Sequence, residues 1–327
     1  MIFSLIFRVR IFTALIGFLL LLTLNLRGIT SFATEKAPII AGHVELEQSD
    51  KANIWTFYLD MAHCKHCRWE VVYPESGLKT LDYWMNQDPQ IVLAVNGGYF
   101  DPANGMSTSV YRRKGKLLLD PAMNPRLMGN PSLAPYLDKI LHRTEWRQLA
   151  CGEKTRYQIV SPAEIADSTI PPGCQEIEAL AVGPRLLPNV SDAAEGFTAR
   201  KMGRLVRDPI GVSARNARTA LGLTADGQVV LMLVMQTSQK ENSGLSLDGV
   251  AAAMKKRGVV SALALDGGSS SSLAYRPAYF LHSRGLNSAV DGAVNKKAWM
   301  SLYAKRQRDG QVVVRPLKSV FVLRADF

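Results

Sequence analysis

Residues 245–272 read LSLDGVAAAMKKRGVVSALALDGGSSSS: a helix, a strand and a loop in immediate succession. Leu245 to Arg257 carries the apolar stripe of a helix (Leu247, Val250, Ala251, Met254), with Ser246 placed to cap its start and Gly258 to end it. Val259 to Leu265 is a short continuous apolar run, the pattern of a strand buried on both faces. It stops at Asp266-Gly267-Gly268-Ser269-Ser270, where one carboxylate, two glycines and a row of hydroxyls follow a rigid strand end. Glycine N–H groups can converge on an anion, and hydroxyls suit a phosphate or a sugar. An ordinary turn needs only one Gly and a Ser.

The same design recurs elsewhere. Ile91 to Val95 ends in Asn96-Gly97-Gly98, and Ile177 to Val182 ends in Gly183-Pro184. Ligand sites gather at strand ends, because backbone groups there are rigid and unpaired. Arg218 stands at the entrance of a strand, Thr219 to Leu223, where a guanidinium can grip a phosphate or carboxylate with two parallel hydrogen bonds.

The rest of the chain reads mainly as strands. Asn53 to Asp60, Trp69 to Tyr73 and Val320 to Leu323 are rich in β-branched and aromatic residues, and Gln311 to Arg315 is a further candidate. Lys114-Gly115 marks a hairpin within 109–120, and Ala225-Asp226-Gly227 joins Thr219–Leu223 to Gln228–Met235. Short helices fit 79–86 and 135–142, whereas 121–176 reads as a loop-rich insertion. With no repeat or linker, the expected architecture is α+β: one strand-rich domain with a mixed sheet core flanked by helices.

The first 33 residues stand apart. Arg8 and Arg10 precede the apolar stretch Ile11 to Leu26, and Ser31-Phe32-Ala33 offers small residues for a signal peptidase. The pattern predicts a signal peptide over 1–33 and a mature domain over 34–327, periplasmic or secreted; an uncleaved N-terminal anchor is the alternative. Without Arg8, Arg10 and Arg27 the net charge falls from +11 to about +8. A basic exported protein meets envelope polymers and lipid headgroups. Its basic residues are scattered without interleaved aromatics, which argues against nucleic acid. Oligomeric state is not encoded in any feature of the sequence.

Cys64, Cys67, Cys151 and Cys174 make an even count, and in an exported chain they predict disulfides. Of three pairings, Cys64–Cys67 with Cys151–Cys174 is preferred. Haem attachment through His63-Cys64-Lys65-His66-Cys67 fails, because Arg68 stands where His is needed. Zinc or redox use of that pair are the remaining readings.

Taken together, Asn96-Gly97-Gly98-Tyr99-Phe100, Ala181-Val182-Gly183-Pro184, Arg218-Thr219-Ala220-Leu221-Gly222, Ser243-Gly244-Leu245-Ser246-Leu247 and Leu265-Asp266-Gly267-Gly268-Ser269-Ser270 resemble, in order, the motifs of the phosphodiester glycosidase family. The resemblance spans about 50–290. It departs at Ser269, where many members carry a third glycine.

The resemblance implies hydrolysis of a sugar-1-phosphodiester in envelope or extracellular phosphorylated glycans. Arg218 would clamp the phosphate, Asn96 would bond phosphate or sugar hydroxyls, and Asp266 would do chemistry. Gly97, Gly98, Gly183, Gly267, Gly268, Ser269 and Ser270 would line the substrate. Glycosidase logic asks for a second carboxylate. Glu241 is preferred over Asp101 and Asp248, the last being better read as a first-turn helix residue. No cofactor is required, but a divalent metal on Asp266 would change the chemistry to metal-assisted cleavage. The competing function is a non-catalytic envelope protein that binds phosphorylated or acidic polysaccharide through the same loops.

Overall fold

A computed structural model describes residues 40–64, 66–167, 170–237, 242–282, 298–307 and 309–326. All lie within one compact unit, Pro38–Phe327. The proposed signal peptide and Glu241 fall outside the described residues.

Alternation inside the apolar strands explains the layering. In Val229–Met235, Val229, Leu231 and Leu233 face one cluster, while Val230, Met232 and Val234 face another. Successive side chains point to opposite faces, so a strand apolar at every position must be covered on both sides. On one side lies the helix Leu247–Lys256, presenting Leu247, Val250, Ala251 and Met254 to Ala220, Met232 and Ala262. Ser246 accepts from the Gly249 N–H at 3.1 Å, capping that helix. On the other side lie two more sheets, joined to the first by Phe57, Leu231, Trp69, Leu93, Tyr111, Trp146 and Phe321.

The first sheet runs Arg185–Leu187, Val259–Ala264, Arg218–Thr224, Val229–Met235, Asn53–Leu59, Gly42–Gln48, Leu281–His282. The second runs Met300–Tyr303, Ser272–Tyr275, Ile91–Asn96, Val320–Ala325, Cys67–Val72, with the helix Leu81–Gln87 on its outer face through Leu81 and Met85. The third holds Lys116–Leu119, Val110–Arg113, Cys174–Ala181, Glu145–Cys151 and Lys154–Val160. Pairing is antiparallel throughout except for the short parallel contact of His43 with Leu281. The expected strand-rich domain is what forms; it is mostly β, and its core is several antiparallel sheets rather than one mixed sheet.

Two local expectations fail. The segment 121–176 is not loop-rich: it supplies two strands of the third sheet. Glu145 and Arg147 hid the strand, because they are charged yet buried, and Glu145 also accepts from Arg112 Nη2 at 3.0 Å. Gln311–Arg315 forms no strand. It makes only an isolated bridge between Arg306 and Val312 and leaves Val312 and Val314 exposed; Pro316 ends any extension. Glu145→Ala should lower stability by about 3 kcal/mol, since it removes the buried carboxylate that Arg112 and Arg147 share; a urea midpoint measures it.

Cys64 bonds Cys67 and Cys151 bonds Cys174. The second bridge links directly opposed residues of neighbouring strands.

Candidate functional site

The chain crosses from the first sheet to the second through Leu265–Ser271, and this crossing builds the site. Val259–Ala264 ends beside Ile91–Asn96, and the two strand ends are tied by Asp266 N–H to Gly97 O at 3.1 Å and Asn96 Nδ2 to Asp266 O at 2.7 Å. Asn96 is wholly buried, and its Oδ1 accepts from Thr219 Oγ1 (2.8 Å) and Ser272 N–H (3.2 Å). It anchors the crossing rather than meeting a ligand. Asn96→Ala should cost about 2 kcal/mol through orphaned partners. Thermal denaturation should show that loss together with reduced turnover.

Gly97 and Gly98 serve close approach. A Cβ at Gly97 would stand 2.7 Å from Ser319 Oγ, and one at Gly98 would stand 2.6 Å from Ser109 Cβ. Gly183 likewise abuts Glu195, which accepts from Thr144 N–H and Arg185 N–H. All three glycines are packing positions. In the crossing itself, the Gly268 N–H is taken by Ala217 O, and Ser269 Oγ accepts from Arg315 Nη1 at 2.6 Å.

Asp266 sits where two cavities meet. One, of about 440 Å³, is walled by Tyr99, Phe197, Arg143, Arg126 and Arg207 among others. The other, of about 390 Å³, is walled by Gly267, Gly268, Ser269, Asn216, Arg218 and Lys305, and both share Pro209, Ile210 and Asp266. Burial lifts the Asp266 carboxyl from 3.8 to about 6, while the Ser270 hydroxyl, Arg315, the Gly267 N–H and Arg143 pull it back. Asp101, another candidate carboxylate, accepts from Arg126 Nε at 2.9 Å on the wall of the larger cavity.

Two arginines stand at strand entrances here, and they are held very differently. Arg218 is buried, and its guanidinium donates to Leu245 O, Ile210 O, Gly211 O and Ala214 O. Four of its five N–H groups are thus spent, three on the 210–214 loop and one on Leu245, so a two-bond phosphate grip is not open to it. Arg143, at the entrance of Glu145–Cys151, is the opposite case. It is buried, its Nε has no hydrogen-bond partner, and among the described residues no carboxylate lies within ion-pair distance. Its guanidinium lies 4.1 Å from the Phe197 ring centroid and 5.5 Å from that of Tyr99. Desolvation pulls it down to about 10. Arg143-Thr144 repeats the Arg218-Thr219 pattern, and that repeat is the sequence signal that marks it.

Tyr99 closes the aromatic wall, donating to Leu265 O at 3.3 Å with its hydroxyl pushed up by burial. Lys305 donates to Asn216 Oδ1 at 2.9 Å, and burial holds its ammonium below the usual range. Among the described residues no three His, Cys, Asp or Glu side chains converge to hold a metal, and no helix is long and apolar enough to cross a membrane. The cleft is cationic around one perturbed carboxyl, an arrangement that can bind an anionic ester and move one proton.

A phosphodiester glycosidase family profile matches residues 89–314. No curated protein matches. Among solved structures, the zebrafish N-acetylglucosamine-1-phosphodiester α-N-acetylglucosaminidase catalytic domain, auto-inhibited by pro-peptide, aligns at a TM-score of 0.55 and 15% identity, over 89% of this chain and 85% of that one. That likeness is one of fold. A hypothetical protein from Synechocystis (TM-score 0.39, 14% identity, 87% and 61% covered) and an exported protein from Burkholderia pseudomallei (0.44, 13%, 84% and 74%) align more loosely.

Proposed function

The chain belongs to the phosphodiester glycosidase family, and from that membership we propose that it hydrolyses a sugar-1-phosphodiester at the Asp266 junction. Its family acts as hydrolases on phosphodiester-linked sugars. The observation that carries the finer reading is the placement of one carboxyl, lifted to about 6, between an aromatic cavity and a small polar one.

In this reading the sugar ring packs against Tyr99 and Phe197. The phosphate is met by Arg143 and Lys305 and by the small residues Gly267 to Ser269. A phosphomonoester is a far better leaving group than a sugar alkoxide, because its charge is delocalised over the phosphate oxygens and its conjugate acid is far stronger than an alcohol; it can depart without a donated proton, and cations stabilise it further. Acid duty therefore passes to Arg143 and Lys305, and one carboxylate suffices where glycosidases of ordinary acetals need two. Asp266, ionised above about pH 6, takes a proton from water as that water adds to the anomeric carbon. The C1–O bond breaks, its electron pair returns to the phosphate oxygen, and sugar and phosphomonoester leave. Glu241 has no part in this scheme.

The substrate class fits phosphorylated envelope or extracellular glycans, and the two disulfides fit an oxidising compartment, periplasmic or secreted. The test is a hydrolysis screen over sugar-1-phosphodiesters, with and without chelator. Release of reducing sugar unaffected by chelator is expected. Loss of activity on chelation would move Asp266 from base to metal ligand, and binding without turnover would favour a polysaccharide-binding protein.

A further inference from the structure

The segment Ala199–Arg207, ARKMGRLVR, forms a two-stranded hairpin that joins none of the three sheets. Arg200 opposes Leu205 and Lys201 opposes Arg204, so one pair sets a cation beside an aliphatic side chain and the other sets two cations together. Every residue from 200 to 206 is exposed. Met202 at the tip is 95% exposed, and Leu205 and Val206 are 47% and 56% exposed.

The tip is unusual in its backbone as well. Met202 and Gly203 both have positive φ, at 48° and 76°. Asn, Asp or Gly occupy the first of these positions at least strain, so a methionine there is held against local preference. Arg200 Nη1 donates to Gly203 O at 3.0 Å, keeping its charge beside the tip. The base is fixed by Arg207, which donates to Gly196 O at 2.7 Å and lies over the Tyr136 ring.

Edge protection alone would account for Arg200, Lys201 and Arg204, since cations on open strand edges deter pairing. It gives no reason for an exposed methionine, leucine and valine among them. A soluble polyanion would use the charges and leave the aliphatic groups in water. A surface that is anionic outside and apolar beneath uses both. We propose that the hairpin Ala199–Arg207 docks on an anionic phospholipid surface, Met202 and Leu205 entering below the headgroups while Arg200, Lys201 and Arg204 meet lipid phosphates. The chain leaves the hairpin directly into Pro209 and Ile210, which wall both cavities. Docking would hold the cleft at the membrane surface. The proposal stands apart from the hydrolytic reading, because it concerns binding alone.

The test is vesicle co-sedimentation of the compact unit Pro38–Phe327, which carries every described strand and helix; the apolar stretch Ile11 to Leu26 would partition by itself and obscure the result. Each cation near an anionic surface strengthens binding about fivefold, so phosphatidylglycerol vesicles should bind roughly a hundredfold better than phosphatidylcholine. Met202→Asp with Leu205→Asp should weaken binding at least tenfold without moving the melting temperature. Soluble glycerol phosphate should compete weakly. Equal binding to both vesicles would overturn the proposal, as would undiminished binding by the double variant. Dextran sulfate binding that equals vesicle binding would assign the hairpin to soluble polyanions instead. Self-association abolished by Met202→Asp would assign it to a second copy.

Discussion

Asp266→Asn is expected to lower kcat roughly a thousandfold while leaving substrate affinity within a few-fold. The variant keeps shape and hydrogen-bonding reach but cannot accept a proton. In the wild-type protein the same role sets the pH profile. With the carboxyl lifted to about 6 by burial, kcat/KM should climb as pH rises through 6 and level off above it. A general acid would give the reverse, a fall through 6, so the direction of this limb separates the two assignments. Stability should move oppositely. A folded-state value above the unfolded 3.8 means the native protein binds more protons between about pH 4 and 6. The native state therefore loses stability across that interval and stays penalised at neutral pH. Asp266→Asn should accordingly be more stable than wild type at pH 7, by up to about 3 kcal/mol, with the gain gone below pH 4. A variant that retains turnover would remove Asp266 from the chemistry.

Arg143→Met is the second large effect expected. Removing one preorganised cation from the phosphate should cost about a hundredfold to a thousandfold in kcat/KM, and the loss should appear in kcat as well as KM. Stability should hold or rise by about 1 kcal/mol. Arg143 is a buried cation with no carboxylate at ion-pair distance among the described residues; desolvation holds it at about 10, against the pull of Tyr99, Glu195 and Asp266, and its guanidinium lies over the Phe197 ring. Arg143→Lys keeps charge but loses the planar fork, and should fall between wild type and methionine. Arg218→Met behaves differently in this account. It releases four carbonyl groups of the 210–214 loop and Leu245, so its activity loss should come with a lowered melting temperature. Loss of stability in Arg143→Met with activity intact would make Arg143 a structural brace.

These two arginines also mark how far the sequence could be read. Strands buried on both faces were plain: Val229–Met235 and Ile91–Asn96 are apolar at nearly every position and need no alternation to be seen. The end of Val259–Ala264 at Asp266 is legible for the same reason, since an apolar run stops there at a carboxylate and paired glycines; that the chain crosses between sheets there is not. What stayed hidden was order built on polar residues. Glu145–Cys151 places Glu145 and Arg147 inside, neutralised by one another and by Arg112, so its pattern carries no apolar period. Missing that strand meant missing Arg143 at its entrance. Gly42–Gln48 shows only Val44 and Leu46 on its inner side, too few to declare a strand. The hairpin Ala199–Arg207 is exposed on both faces, which leaves no period to detect.

The place of Asn96 is hidden in the sequence for a related reason. A polar residue after an apolar strand looks the same in sequence whether it faces a ligand or a neighbouring loop. Only the second sheet's position shows that its amide is spent on Asp266 O, Thr219 and Ser272. The glycines 97, 98 and 183 follow the same logic: they make room for backbone and side chains that come from distant parts of the chain.

The most direct test of the central claim is hydrolysis of a sugar-1-phosphodiester in oxygen-18 water, read by mass spectrometry of both products. Attack on the anomeric carbon predicts the label in the sugar hydroxyl and none in the phosphomonoester, with Asp266→Asn releasing neither product at a comparable rate. Label in the phosphate would contradict the account, because it would mean that the P–O bond is the one that breaks.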